Sequence, residues 1–92
     1  MAKYSIIYFK SFVKDYKKLN AKEQALVDEV ITSLANDENL PAKYKDHQLK
    51  GELKDFRECH VKPDLLLIYE KEENILLLSI ARVGSHSQLF KK

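Results

Sequence analysis

"DLLLIYEKEENILLLSIAR", Asp64 to Arg82, holds two nearly continuous apolar runs on either side of the polar tip Lys71 to Asn74. Short runs rich in Leu and Ile, parted by four polar residues, read as strands over 64 to 70 and 74 to 82 joined as a hairpin. Because they are apolar on both faces, they predict central strands covered on both sides. Just upstream, "DFRECHV", 55 to 61, reads as a third strand, entered from the hairpin side through "KPD", 62 to 64, where Pro63 pre-sets the turn. The second half of the chain is therefore a sheet.

The first half supplies what covers it. "KYSIIYF", 3 to 9, is β-branched and aromatic and predicts a strand. Ser11 is placed to cap a helix running to about Leu19, with Phe12, Val13, Tyr16 and Leu19 at helical spacing. Asn20 followed by Glu23 has the layout of a capping box, opening a second helix to about Asn36 with one stripe of Leu26, Val27, Val30, Ile31 and Leu34. The order is β-α-α-β-β-β: an α+β domain in which a helical hairpin packs on one face of a mainly antiparallel, four-stranded sheet. Residues 37 to 54 show no periodicity, and loops of that length in compact domains are often functional.

A length of 92 residues predicts a single domain over 1–92. Sixteen basic against 14 acidic residues leave a net charge of only +2. That balance excludes a protein that coats a long phosphate backbone, while it is compatible with RNA bound in a confined cleft. The lone cysteine, Cys59, rules out an intramolecular disulfide, and no charged-then-apolar leader opens the chain, so a cytoplasmic protein is expected. No apolar run approaches the roughly twenty residues needed to span a bilayer.

The histidines fall at an edge or in loops: His47 in the long loop, His60 at the end of a strand, His86 in the terminal segment. A period of two puts Phe56, Glu58 and His60 on one strand face and Arg57 and Cys59 on the other. Asp64 lies across the short turn from His60, close enough for its carboxylate to orient an imidazole. Arg82 ends the last strand, before Gly84 and His86. An antiparallel order could gather all of these into one cleft.

That set suits metal-free cleavage of RNA. A base takes the 2′-hydroxyl proton, an acid protonates the leaving oxygen, and a cation holds the charge on phosphorus. Histidine, with an ordinary pKa of about 6.5, serves either proton role. Taken singly, His47 also fits a solvated loop residue, His60 and Asp64 a hairpin pair, and Ser85 to Ser87 a simple cap. A zinc site would need local pairs such as HxxxH or a second thiolate, so no metal or cofactor is expected. Cys59, facing away from His60, does not form a Cys-His nucleophile with it.

"YKDHQLKGELKDFRECHVKPDLLLIY", Tyr44 to Tyr69, together with "RVGSHSQLF", Arg82 to Phe90, resembles the YafQ branch of the RelE/ParE superfamily of bacterial toxins. The pattern YKDHxLxG, RxxHVxPDxxLIY and RxGxHxxLF is ordered and specific. The resemblance implies the toxin of a type II toxin-antitoxin pair, an endoribonuclease cutting mRNA, typically on the ribosome. It also implies a cognate antitoxin that holds the toxin inactive and alone contacts operator DNA. The motif positions implicated in catalysis are His47, His60, Asp64 and His86. Arg82 matches a phosphate-stabilising position, Phe90 a base-stacking one, and Glu58 one where the pattern has aspartate; these three are expected at the RNA. Leu65 departs from the pattern, which has tryptophan there.

On this reading His60 and His86 share acid and base work, Asp64 orients an imidazole, and His47 and Arg82 steady the phosphate. Gly84 lets the chain turn, and Leu89 and Phe90 pin the tail. A non-catalytic RNA- or antitoxin-binding module on the same fold is the alternative.

Overall fold

The computed structural model describes residues 2–90. In chain order the elements are β1 (Ser5–Tyr8), α1 (Lys10–Lys17), α2 (Ala21–Ala35), β2 (His47–Gln48), β3 (Arg57–Lys62), β4 (Leu65–Glu72), β5 (Leu77–Gly84) and α3 (His86–Leu89). Single 3-10 turns at Ala42–Tyr44 and Gly51–Leu53 punctuate the long loop. The sheet has the order β1-β5-β4-β3-β2, with β1 parallel to β5 and every other pairing antiparallel. It has five strands where four were expected. The extra one, β2, is a polar pair of residues inside the long loop, His47 opposite Glu58 and Gln48 opposite Arg57, too short to show any alternation.

The hairpin tip also moves. Glu72 pairs with Leu77, so Asn74, Ile75 and Leu76 leave the predicted strand and form the turn. Ile75 is 63% exposed there and Leu76 adopts φ 51°, neither of which hydropathy signals. Upstream, β3 begins two residues later than expected and extends through Lys62.

One face of the sheet packs on the helices. Cys59, Val61, Leu65, Leu67, Tyr69, Leu78, Ile80 and Val83 meet Phe12, Val27, Val30, Ile31, Leu34 and Ala35. Each such Leu or Ile stabilises the fold by about 1.5–3 kcal/mol relative to exposure. The expected capping box opens α2: Asn20 Oδ1 accepts from the Glu23 N–H at 2.8 Å and Glu23 Oε1 from the Asn20 N–H at 3.2 Å. The expected Ser11 cap is absent, because α1 starts two residues earlier, behind Phe9, with no side-chain cap. Ser11 Oγ instead donates to the Ala81 carbonyl at 2.7 Å. Val13, placed on the buried stripe from its spacing, is 39% exposed.

That hydroxyl explains where α1 sits. β1 is four residues long and pairs only with Leu77 to Ile80, leaving the rest of β5 as a bare edge. Ser11 then takes up the Ala81 carbonyl, and Asp15 Oδ2 accepts the Val83 N–H at 3.2 Å. Side chains of α1 thus satisfy backbone groups that a longer β1 would have paired.

Candidate active site

Position on the sheet decides which side chains meet. Ile68 pairs with Arg82 while Tyr69 pairs with Ile80, so Ala81 is an extra, unpaired residue on β5. Such a bulge reverses the alternation beyond it. Ile80 and Val83 both face the helices, and Arg82 falls on the opposite face with Ile68 and Glu58. The register then runs across four strands as His47, Glu58, Ile68 and Arg82. The neighbouring rung carries His60, Leu66 and Gly84. At about 4.8 Å per strand, His60 and Gly84 stand about 10 Å apart, with His86 two residues beyond Gly84.

Glu58 is the hub of the first group. Only 6% exposed, it has Oε1 3.5 Å from Nε2 of both His47 and His60, whose ring centres are 6.5 Å apart. The other nitrogen of His47, Nδ1, lies 2.6 Å from the Lys45 carbonyl, which can only accept, so Nδ1 carries a proton. Glu58, expected at the RNA, is thus the carboxylate beside His60. Cys59 on the opposite face is fully buried, and burial pushes its thiol up to about 12, which leaves it a poor nucleophile.

The second group surrounds α3. Asp64, expected beside the His60 ring, instead has Oδ1 3.4 Å from the His86 backbone N–H, fastening the start of α3. A capping box closes the same turn: the Ser85 side chain accepts from the Gln88 N–H at 3.2 Å, and Gln88 Oε1 from the Ser85 N–H at 2.8 Å. The His86 ring is exposed, and its centre lies 5.0 Å from that of Phe90, tilted by 38°.

Gly84, expected to let the chain turn, ends β5 without a positive φ, and what it supplies is room. A Cβ there would meet Gln88 Oε1 at 2.8 Å and Leu89 Cδ2 at 3.3 Å. Gly84→Ala should therefore displace Gln88, undo half of the box at a cost of about 1 kcal/mol, and loosen His86. Thermal denaturation, together with amide exchange of Gln88 and Leu89, would read both effects.

Arg82 is gripped from behind. Its Nε and Nη2 donate to Asp15 Oδ2 and Oδ1 at 2.6 and 3.2 Å, a two-pronged bond that raises the guanidinium pKa further. The pair lines a cleft of about 600 Å³ with Lys18, Asp64, Ser85 and Ser87. Sequence reasoning missed Asp15, an acidic residue on a lysine-rich helix face with no motif around it. It also missed Asp46, whose Oδ1 accepts from Tyr69 OH at 2.5 Å and from Arg57 Nε at 3.3 Å. Among the described residues, no group of three His, Cys, Asp or Glu is arranged to hold a metal ion, and no helix is long and apolar enough to cross a membrane.

The family profile for the bacterial toxin of type II toxin-antitoxin system, YafQ, matches residues 4–91. The mRNA interferase toxin YafQ of Escherichia coli strain K12 is 38% identical over 93 residues, covering 98% of this chain and 99% of that protein. In the crystal structure of the E. coli DinJ-YafQ toxin-antitoxin complex, a chain 36% identical superposes with a TM-score of 0.84 over 96% of this chain and 98% of that one. A metal-bound toxin from Helicobacter pylori, 46% identical, does so with a TM-score of 0.81 over 98% and 100%. With the profile spanning nearly the whole chain and the fold agreeing, this protein belongs to the YafQ family of bacterial toxins of type II toxin-antitoxin systems.

Proposed function

We propose that this chain is a cytoplasmic, single-domain endoribonuclease that cuts mRNA on the ribosome and is held inactive by a cognate antitoxin. The observation that carries the reading is the register. Two adjacent rungs align His47, Glu58, His60 and Arg82 on one sheet face and set α3, with His86, at their end. Family membership supplies the substrate class, since the E. coli relative is named an mRNA interferase and a YafQ chain is seen in complex with an antitoxin. Operator DNA is contacted only through that antitoxin.

The chemistry follows from the side chains. One imidazole of the His60 and His86 pair removes the 2′-hydroxyl proton as the 2′-oxygen bonds to phosphorus. The other protonates the 5′-oxygen as the P–O5′ bond breaks, leaving a 2′,3′-cyclic phosphate and a 5′-hydroxyl. Glu58 orients His60, Asp64 holds His86 through its backbone, Arg82 meets the phosphate charge, and Phe90 stacks with the base beside His86. A binding module without catalysis would keep the Arg82 cleft but would not need two imidazoles flanking a carboxylate.

The test is cleavage of mRNA in a reconstituted translation reaction, with and without the cognate antitoxin. Cleavage that antitoxin abolishes is expected. Binding to ribosomes without any cut would favour the non-catalytic module.

A further inference from the structure

His47 stands on a strand too short to hold it. β2 makes only two rungs with β3, at the sheet edge, and the preceding Lys45 sits in the left-handed region at φ 50°, ψ 40°. Non-glycine residues there are strained and persist where their surroundings over-determine them. The surroundings here are Asp46. Alternation sends its side chain to the helix face, opposite to His47, where Tyr69 OH from β4 and Arg57 Nε from β3 both donate to Oδ1. Arg57 Nη1 also reaches Gln48 Oε1 at 3.4 Å, and Gln48 Nε2 donates to the Lys54 and Phe56 carbonyls.

We infer that Tyr69 and Asp46 form a clamp that reaches through the sheet and positions His47 for RNA cleavage. Tyr69 is 1% exposed, so its hydroxyl is delivered to Asp46 from a side chain packed in the core. Burial, then the bond to Asp46, raises its pKa, so the hydroxyl remains a donor at neutral pH. Pulling Asp46 to one face turns the next residue to the other. His47 Nδ1 is thereby set on the Lys45 carbonyl and Nε2 is turned toward Glu58. Tyr69 touches no reacting atom; it is a positioning residue, and nothing in the apolar context of "LLLIYE" marks it as one.

The inference rests on His47 belonging to the cleavage site, and the experiment separates the two. Tyr69→Phe removes only the hydroxyl. In the otherwise native protein it should lower kcat about 10- to 100-fold with KM little changed. In a His47→Ala background it should cost nothing further. Asp46→Ala should behave like Tyr69→Phe, whereas Asp46→Asn, which keeps the acceptor oxygen, should restore most of the rate. The His47 ring ¹⁵N signals, read independently of activity, should shift in Tyr69→Phe toward those of a free imidazole. Equal losses in both backgrounds, or ring signals unmoved by Tyr69→Phe, would overturn the clamp. Native cleavage by His47→Ala would instead remove His47 from the site and leave the ring signals to decide the clamp.

Discussion

His86→Ala should cleave RNA about 10²- to 10⁴-fold more slowly than the native chain, and His60→Ala should fall in the same range. Each loses one of the two proton transfers that a 2′-hydroxyl attack requires. Neither substitution should unfold the protein. The His86 ring is exposed on a one-turn helix held by Asp64 and by the Ser85–Gln88 box, and none of those bonds uses its side chain. His60 lies near the end of β3 and is only partly buried. Removing both should cost little more than the worse single change, because residues that act as one unit are not additive. Single-turnover cleavage of ribosome-engaged mRNA, with thermal melts confirming the fold, gives the numbers. A rate within twofold of native for either variant would take that histidine out of the chemistry.

The second large effect belongs to Arg82. Its alanine variant should lose about 10²- to 10³-fold in kcat, the range for deleting one donor aimed at developing charge. Arg82→Lys should recover only part of this, because an ammonium cannot make the two-pronged bond by which Asp15 aims the guanidinium. Asp15→Ala combines two losses. Arg82 is freed from its orientation, and the Val83 N–H loses its acceptor, at about 1–3 kcal/mol if it stays dry. Since the bond to Asp15 raises the Arg82 pKa further, the guanidinium stays charged through any usable pH range. The limbs of a pH–rate profile should therefore survive in Arg82→Lys at reduced height. Loss of a limb in that variant would give Arg82 a proton role that this geometry does not.

What could be read in advance follows from how local the signal is. The β4–β5 pairing was legible because Leu65 to Tyr69 form an unbroken run of strand-forming apolar and aromatic residues, all five of which are buried. The α2 cap was legible because both of its bonds lie within four residues. Ala81 was not: nothing in "LLSIARVG" announces that one residue is skipped, yet that skip puts Arg82 on the face of Glu58 and His60 rather than among the helices. β2 escaped for a similar reason, since a two-residue strand is defined by its partner and not by its own composition.

The histidines and carboxylates were found by type and placed by alternation, which correctly joined Glu58 to His60. Alternation could not exchange the carboxylates' tasks. Asp64 stands across the short turn from His60, but its side chain meets the His86 backbone because Gly84 pairs with Leu66 and brings α3 alongside. The tasks of Asp15 and Tyr69 were not legible, because their partners are 67 and 23 residues away.

The central claim is that this sheet face cuts RNA through the neighbouring 2′-hydroxyl. The direct measurement is the end chemistry of mRNA cut by the protein in a reconstituted translation reaction. Upstream fragments ending in a 2′,3′-cyclic phosphate and downstream fragments with a 5′-hydroxyl are predicted, with no cut at a site carrying a single 2′-deoxy nucleotide. A 5′-phosphate product, or cleavage that persists at the 2′-deoxy site, would contradict it.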